Sequence, residues 1–352
     1  MTRLSASAVE TPWMPHQDQR LLDLSTWLEQ QLPEVFVRCG WGEVPAAQLT
    51  AASSDASFRR YFRWQGGERS LIVMDAPPPQ EDCRPFVKVA QMLDQAGVHV
   101  PQILASDLER GFLLLTDLGR QTYLDVINQS NAEQLFEDAV EALLKFQLHP
   151  VAQPMPAYDE ALLRRELQLF PEWYVQRHLG HSFSEAQQAA WERICRQLID
   201  SALAQPWVLV HRDYMPRNLM ISAPNPGVLD FQDAVLGPVS YDITSLFKDA
   251  FLSWPEAQVR AWLEGYWHKA RAAGVSLPES LDEFLRASDL MGLQRHLKVI
   301  GIFARICHRD GKPRYLADVP RFFAYIEAVL ARRPELAELQ QLLAELPQAP
   351  HA

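Results

Sequence analysis

Apolar and polar positions follow two different periods along the chain. In the first third they alternate or form short apolar runs, which predict strands, whereas helical spacing predicts a leading helix at Leu21–Leu32 and another at Arg84–Gln95. The predicted strands are Phe58–Trp64, Ser70–Met74, Val98–Ala105 and Gly111–Thr116. This part of the chain is therefore predicted to form a small β-rich lobe with one main helix.

Helical spacing dominates the rest of the chain. Ser130 and Glu133 form a capping-box pattern, which predicts the start of a helix that runs to Leu148. Further helices are predicted at Asp159–Gly180, Ser184–Ala204, Tyr241–Leu252, Glu256–Ala273, Leu281–His308 and Val319–Leu346, around an island of short strands at Trp207–Val210, Leu219–Ile221 and Val228–Phe231. The patterns together predict an α+β protein with an N-terminal lobe at 1–117 and a larger, mostly helical lobe at 118–352.

Composition and charge exclude several classes of protein. The chain of 352 residues is 48% apolar and 22% charged, which is typical of a globular protein, and its net charge of -11 argues against a broad basic surface for nucleic acid. Four cysteines lie far apart without a CxxC pair, so neither a zinc site nor a disulfide framework is indicated. The sequence shows no signal peptide and no apolar stretch of about 20 residues, and no obligate protein partner is evident. We therefore expect a cytoplasmic protein that does not contact membranes.

The strand island carries the residues best suited to chemistry. A buried strand leads into His211 and Asp213, Asn218 follows five residues after Asp213, and Asp230 ends the next short strand pair. Phosphoryl transfer needs a carboxylate that accepts a hydroxyl proton, together with amide and carboxylate oxygens that hold Mg²⁺ against phosphate groups. These residue types and spacings therefore indicate a phosphotransferase.

The motif H-x-D-x-x-x-x-N followed by D-F-x resembles the catalytic segment of protein kinases and, more closely, of the aminoglycoside phosphotransferase and choline kinase superfamily. The resemblance implies a bilobal protein-kinase-like fold and the cofactors ATP and Mg²⁺. It also implies that Asp213 is the catalytic base, that Asn218 and Asp230 are metal ligands, and that His211 and Asp242 support the catalytic loop.

The predicted N-terminal lobe matches the superfamily less closely. Small residues at 51–57 precede a strand, where kinases have a loop over the phosphates, so Ser53, Ser54 and Ser57 are candidate nucleotide-binding residues, although an ordinary polar loop remains an alternative. The segment at 114–119 resembles the hinge that binds adenine through its backbone. This resemblance makes Thr116, Asp117 and Leu118 further nucleotide-binding candidates.

The strand that usually carries a phosphate-binding lysine has Asp75 in its place. Lys88, on the following predicted helix, could form a charge-reversed pair with Asp75, while Lys88 itself or a nearby Arg59, Arg60 or Arg63 meets the phosphates of ATP. The alternative is that Asp75 lies on the surface and that Lys88 is solvated.

Several stretches between residues 53 and 316 resemble bacterial kinases that phosphorylate the anomeric C1 hydroxyl of N-acetylmuramate or N-acetylglucosamine in peptidoglycan recycling. This resemblance implies a small-molecule amino sugar as substrate. Aromatic and arginine side chains suit a sugar with a carboxylate, although each arginine could instead be solvated or form a structural ion pair. The candidate substrate-binding residues are Glu172, Trp173, Tyr174, Arg177, Arg295 and Arg305.

Two other functions remain open from the sequence. The acceptor could be an aminoglycoside, choline, fructosamine or homoserine, and an acidic acceptor-binding region would then be expected for the polycationic aminoglycosides. Because the usual lysine is missing, the chain could also be a nucleotide-binding pseudokinase, although Asp213, Asn218 and Asp230 argue against that alternative.

Overall fold

The computed structural model describes residues 18–54, 58–151 and 154–347, and these form two compact units. The first unit contains the described residues up to Cys83 together with Ile103–Asp117, and the second contains Arg84–Gln102 and the described residues from Leu118 onward. The residues of the predicted helix Arg84–Gln95 thus group with the second unit, whereas the predicted division at residue 117 left them in the N-terminal lobe. None of the described helices is both long enough and apolar enough to span a membrane.

The first unit is an antiparallel five-stranded sheet with one helix packed against it. The elements are α1 (Gln19–Arg38), β1 (Ala47–Ser54), β2 (Arg60–Gly66), β3 (Arg69–Asp75), β4 (Ile103–Asp107) and β5 (Phe112–Thr116). The strand order in the sheet is β1-β2-β3-β5-β4. Trp27 and Leu28 of α1 are buried against Trp64 and Leu71 of the sheet, so apolar burial holds the helix on the sheet.

Three predictions for the first unit were wrong in detail. Helix α1 continues beyond Leu32 with Pro33 inside it, because Val35 and Phe36 extend its buried face. Residues 51–54 belong to strand β1 and pair with β2, so only Asp55, Ala56 and Ser57 of the predicted loop remain, and these lie outside the described residues. Strand β4 begins at Ile103 rather than at Val98, consistent with Pro101, which has no N–H to donate to a ladder.

The second unit is mostly helical. Its helices are α2 (Arg84–Gln95), α3 (Tyr123–Val126), α4 (Ala132–Leu148), α5 (Glu160–Leu167), α6 (Glu185–Leu203), α7 (Tyr241–Phe247), α8 (Glu256–Ala273), α9 (Leu281–Asp310), α10 (Val319–Leu330) and α11 (Ala337–Ala344). Strand β6 (Trp207–Val210) pairs with β9 (Val235–Pro238), and β7 (Leu219–Met220) pairs with β8 (Gly227–Val228). These two short ladders flank the segment that carries the candidate catalytic residues.

Turns and helix ends account for most differences from the predictions in this unit. Helix α4 begins at Ala132 without a capping box, because the Ser130 hydroxyl donates to Asn128 instead. The predicted helix at 159–180 divides into α5 and a π-helical segment, Phe170–His178. Strand β8 is shorter than predicted, and β9 was not predicted. Short 3₁₀ turns occur at Pro216–Asn218, Pro313–Asp318 and Pro334–Leu336.

Candidate active site

His211 fixes the start of the catalytic loop. Its buried ring follows strand β6, and its Nε2 lies 2.9 Å from the carbonyl oxygen of Leu229. A carbonyl can only accept, so Nε2 carries the proton and Nδ1 accepts the N–H of Asp213 at 3.2 Å. The imidazole of His211 therefore joins Leu229, the residue after β8, to the backbone of the candidate base Asp213.

Asp242 holds the same loop from the other side. Near the start of α7 its fully buried carboxylate accepts the backbone N–H groups of His211 at 2.7 Å and of Arg212 at 3.0 Å. Arg212 has a φ of 76°, a left-handed conformation that is unfavourable for a bulky residue. Burial raises the pKa of Asp242 to about 6, although His211 and the two N–H groups oppose the shift.

The raised pKa of Asp242 predicts a specific pH dependence of stability. Because it lies above the ordinary value of 3.8, the folded chain binds more protons than the unfolded chain between those values. The contribution of Asp242 to the free energy of unfolding is therefore full below pH ~4 and decreases as pH rises through 6, by about 3 kcal/mol for a shift of about two units. Chemical denaturation of the wild type and of Asp242→Asn from pH 4 to 7.5 measures the difference. Parallel stability curves for the two proteins would contradict the assignment.

Asn218 lies between Asp213 and Asp230 and contacts both. Asn218 ends a 3₁₀ turn, and its Nδ2 donates to the carbonyl oxygen of Asp213 at 2.9 Å and lies 3.5 Å from Oδ2 of Asp230. The N–H of Leu229 donates to the carbonyl oxygen of Asn218 at 2.9 Å, and Gln232 donates to Oδ1 of Asp230 at 2.8 Å. The structure thus brings the three residues of the predicted phosphotransferase motif together.

The donor set fits a hard divalent cation. The bond from Nδ2 of Asn218 to a carbonyl orients the amide so that its Oδ1 faces elsewhere, and Asp230 adds carboxylate oxygens. Such oxygens are the ligands that Mg²⁺ prefers, with phosphate oxygens and water completing its shell. Among the described residues no group of three His, Cys, Asp or Glu side chains could hold a metal by itself.

The candidate nucleotide-binding residues occupy different environments. The carboxylate of Asp117, after β5, accepts from the guanidinium of Arg63 at 2.6 and 3.0 Å. Lys88 of α2 donates from Nζ to the carbonyl oxygen of Pro154 at 2.6 Å, and Leu118 is buried. Thr116 ends β5, Ser53 and Ser54 lie in β1, and Ser57 is outside the described residues. Their roles in nucleotide binding stay predictions.

Asp75 is fully buried, so the alternative that it lies on the surface was wrong. Its Oδ1 accepts from Arg20 at 2.7 Å, and its Oδ2 accepts from Arg60 at 2.9 and 2.6 Å. Arg60 lies directly opposite Asp75 in the β2–β3 ladder. Two arginines of the first unit thus balance the buried carboxylate, and the charge-reversed pair with Lys88 stays a prediction.

The candidate substrate-binding residues are not alike in exposure. Most belong to the π-helical segment, where Glu172 and Arg177 are exposed and Trp173 is half-buried. Tyr174 is buried, and its ring lies against that of Phe170, with centroids 5.5 Å apart. On α9, Arg305 is half-buried and Arg295 is buried, donating to the carbonyl oxygen of Lys248 at 3.4 Å. Their predicted contact with a substrate remains a prediction.

A buried ionic cluster beside the catalytic loop was missed by sequence reasoning. Glu166 of α5 accepts from Arg212 at 2.7 Å, and Lys298 of α9 lies 3.1 Å from the same oxygen. Tyr158 and Gln294 donate to the other oxygen of Glu166. A glutamate in a helix rich in charged residues carries no local signal of burial, so only the placement of α5 against α9 reveals this cluster.

Asp249, in the segment after α7, was also missed. Its Oδ2 accepts the N–H groups of Phe251 at 2.6 Å and of Leu252 at 3.1 Å. Its buried Oδ1 has no hydrogen-bond partner in the part of the chain that the structure describes. Phe251 lies under the guanidinium of Arg217, 5.2 Å from the ring centroid, and Arg217 precedes the candidate metal ligand Asn218. Asp249 therefore lies in a segment that contacts the catalytic loop.

Comparison with known proteins defines the class. Residues 48–284 match the model of the phosphotransferase enzyme family. The fold is similar to that of choline kinase LicA from Streptococcus pneumoniae, with a TM-score of 0.58 at 12% identity over 86% of this chain and 99% of that one. It is also similar to aminoglycoside phosphotransferase APH(2")-IIa in its complex with streptomycin and ATP, with a TM-score of 0.56 at 15% identity over 88% and 97% of the two chains. The chain belongs to the phosphotransferase enzyme family, and the prediction of a bilobal kinase-like α+β fold is confirmed.

More similar relatives narrow the class. The chain is 70% identical to the N-acetylmuramate/N-acetylglucosamine kinase of Pseudomonas aeruginosa over 95% of this chain and 99% of that protein. It is 44% identical to the kinase of the same name from Neisseria meningitidis over 93% of this chain and 96% of that protein. The protein is thus a phosphotransferase enzyme, its family implies ATP as the phosphoryl donor, and the predicted resemblance to this group of sugar kinases is confirmed.

Proposed function

We propose that the protein transfers the γ-phosphoryl group of ATP to the anomeric C1 hydroxyl of N-acetylmuramate, N-acetylglucosamine or both. The observation that carries the proposal is the assembly of Asp213, Asn218 and Asp230 in one loop system of a chain 70% identical to a kinase named for these sugars. The product would be a sugar 1-phosphate, which suits a route that recycles cell-wall sugars.

The reaction assigns a separate task to each side chain. The C1 oxygen bonds to the γ-phosphorus as the bond from that phosphorus to the leaving oxygen of ADP breaks, and Asp213 accepts the hydroxyl proton. A hemiacetal hydroxyl is more acidic than an ordinary alcohol, so the carboxylate mainly orients it. Bound Mg²⁺ would neutralise charge on the phosphates. Asn218 and Asp230 are the residues that would hold it, through Oδ1 and a carboxylate oxygen.

The acceptor site is proposed on the second unit. The buried Oδ1 of Asp249 could accept a hydrogen bond from a sugar hydroxyl, and arginines suit the lactyl carboxylate of N-acetylmuramate. Because ATP and recycled sugars meet in the cytoplasm, we also propose a cytoplasmic location. A small-molecule acceptor agrees with the net charge of -11, which does not favour nucleic acid.

A panel of acceptors tests this function. Purified protein with ATP and Mg²⁺ is expected to consume ATP with N-acetylmuramate or N-acetylglucosamine and to give a 1-phosphate, identified by ³¹P and ¹H NMR. The matched controls are the methyl glycosides of the same sugars, which lack a free C1 hydroxyl and should leave ATP consumption at its background rate. Phosphorylation of the methyl glycosides would contradict C1 as the site. Faster turnover with choline, homoserine, a fructosamine or an aminoglycoside would contradict the acceptor, and ATP binding without any turnover would favour a pseudokinase.

A further inference from the structure

The residue before the catalytic base is held in an unusual backbone conformation. Arg212 has a φ of 76°, and Asp213 follows it directly. The N–H of Arg212 is held by Asp242 at 3.0 Å, while its guanidinium reaches in another direction and donates to Glu166 at 2.7 Å. A left-handed conformation in a bulky residue persists only where the surroundings fix it. Both ends of Arg212 are fixed in this way.

The carboxylate of Glu166 is buried, and both of its oxygens have polar partners. It is 5% exposed. Arg212 and Lys298 lie at Oε1, at 2.7 and 3.1 Å, and Gln294 donates to Oε2 at 3.1 Å together with Tyr158. The donors come from the catalytic loop, α9 and the segment before α5, so the carboxylate joins α5 to three other parts of the second unit. A buried carboxylate with this many donors has one defined orientation.

The charge of the cluster fits a positioning role. A buried cation, Lys298, and a half-buried one, Arg212, contact the carboxylate, and Lys298 also donates to the hydroxyl of Tyr241 at 3.0 Å. Burial acts to raise the pKa of Glu166, but Lys298 and Arg212 outweigh it and lower the pKa to about 2, so the carboxylate stays ionised at neutral pH. Asp213 is among the groups that favour the charged form of Lys298. The cluster is therefore both a mechanical and an electrostatic neighbour of the catalytic base.

We propose that Glu166 is a positioning residue for phosphoryl transfer, which holds the guanidinium of Arg212 and thereby sets the direction of the Asp213 carboxylate. Glu166 itself does not touch substrate. An Asp213 carboxylate that moves by about 1 Å from the acceptor hydroxyl loses on the order of 10²-fold in rate. The role of Glu166 is thus expressed in turnover rather than in binding.

The test compares Glu166→Gln, Arg212→Met and the double variant with Glu160→Gln. The control removes an exposed glutamate of the same helix, which pairs with Arg164 at 3.2 Å. Glu166→Gln and Arg212→Met are each expected to lower kcat by about 10²-fold. The KM of the sugar and the Kd of ATP should change by less than about threefold, and the control should match the wild type. Because Glu166 acts through Arg212, the double variant should be no slower than the slower single variant.

Two further features keep the test decisive. Arg212→Lys keeps the positive charge and one donor group, so it should recover part of the activity that Arg212→Met loses. If Glu166→Gln fails to fold, the comparison of Arg212→Lys with Arg212→Met still tests the inference. Wild-type kcat in folded single variants, or losses that multiply in the double variant, would overturn the inference. The measurement rests on the proposed function only for the choice of sugar: an inactive wild type would count against that function, whereas an active wild type with unaffected variants would count against the role of Glu166.

Discussion

Replacing Asp213 by asparagine is expected to lower kcat by about 10²–10⁴-fold, the range that a positioned general base contributes. Asparagine has nearly the same shape as aspartate. The two hydrogen bonds of the backbone at position 213 are kept, because its N–H still donates to His211 and its carbonyl oxygen still accepts from Asn218. Asparagine cannot accept the proton of the acceptor hydroxyl. The Kd of ATP, measured by calorimetry, should therefore stay within about threefold of the wild type, and the melting temperature should change little.

The matched control for Asp213→Asn is Asp200→Asn, which neutralises an exposed aspartate near the end of α6. It should leave kcat, KM and nucleotide affinity at their wild-type values. A variant at Asp213 that lost nucleotide binding along with turnover would point to a role in holding the nucleotide. Retention of more than about a tenth of the wild-type kcat would remove Asp213 from the role of base.

Local sequence order explains why the catalytic residues could be predicted. His211, Asp213, Asn218 and Asp230 lie within 20 residues, and the strands β6, β7 and β8 between them are short, so spacing along the chain closely limits spacing in space. Asp242 follows on the next helix and accepts the N–H groups of His211 and Arg212. A motif of this kind specifies both chemistry and geometry.

Residues that act through long-range packing could not be found in this way. Glu166 contacts Arg212, which lies 46 residues further along the chain, and Gln294, which lies 128 residues further along. Helical periodicity gives the buried face of α5 but not the identity of the helix that covers it. Asp249 is similar, since the burial of its Oδ1 depends on tertiary packing. In contrast, the Arg60–Asp75 pair could have been predicted from the sequence, because the β2–β3 hairpin places the two residues opposite each other.

Pairing between strands also overrode a reasonable local prediction. The small residues at 51–54 suit a loop by composition. They nevertheless continue β1, because β2 pairs with them as far as the last pair of the ladder, Ser54 opposite Arg60. The register shifts between Ala51 and Ser53, as expected of a β-bulge. Sheet hydrogen bonding supplies partners for these backbone groups, and single-residue preferences do not include this contribution.

The second large effect is expected for Asp230→Asn, which should lower kcat by about 10³-fold because phosphoryl transfer depends on neutralised phosphate charge. Asp230 has a φ of 61°, a conformation that asparagine tolerates, and an amide oxygen can still accept from Gln232, so the fold should be preserved. The change removes a negative charge from the candidate metal site. Calorimetric titration with ATP, with and without Mg²⁺, should therefore show that the gain in affinity due to Mg²⁺ is largely lost, while metal-free ATP binds as well or better.

Asp233→Asn, at an exposed aspartate three residues further along, is the control and should keep the wild-type response to Mg²⁺. If Asp230→Asn also kept that response, Asp230 would not be a metal ligand, and its loss of activity would have to come from displacement of Asn218, whose Nδ2 lies 3.5 Å from its carboxylate.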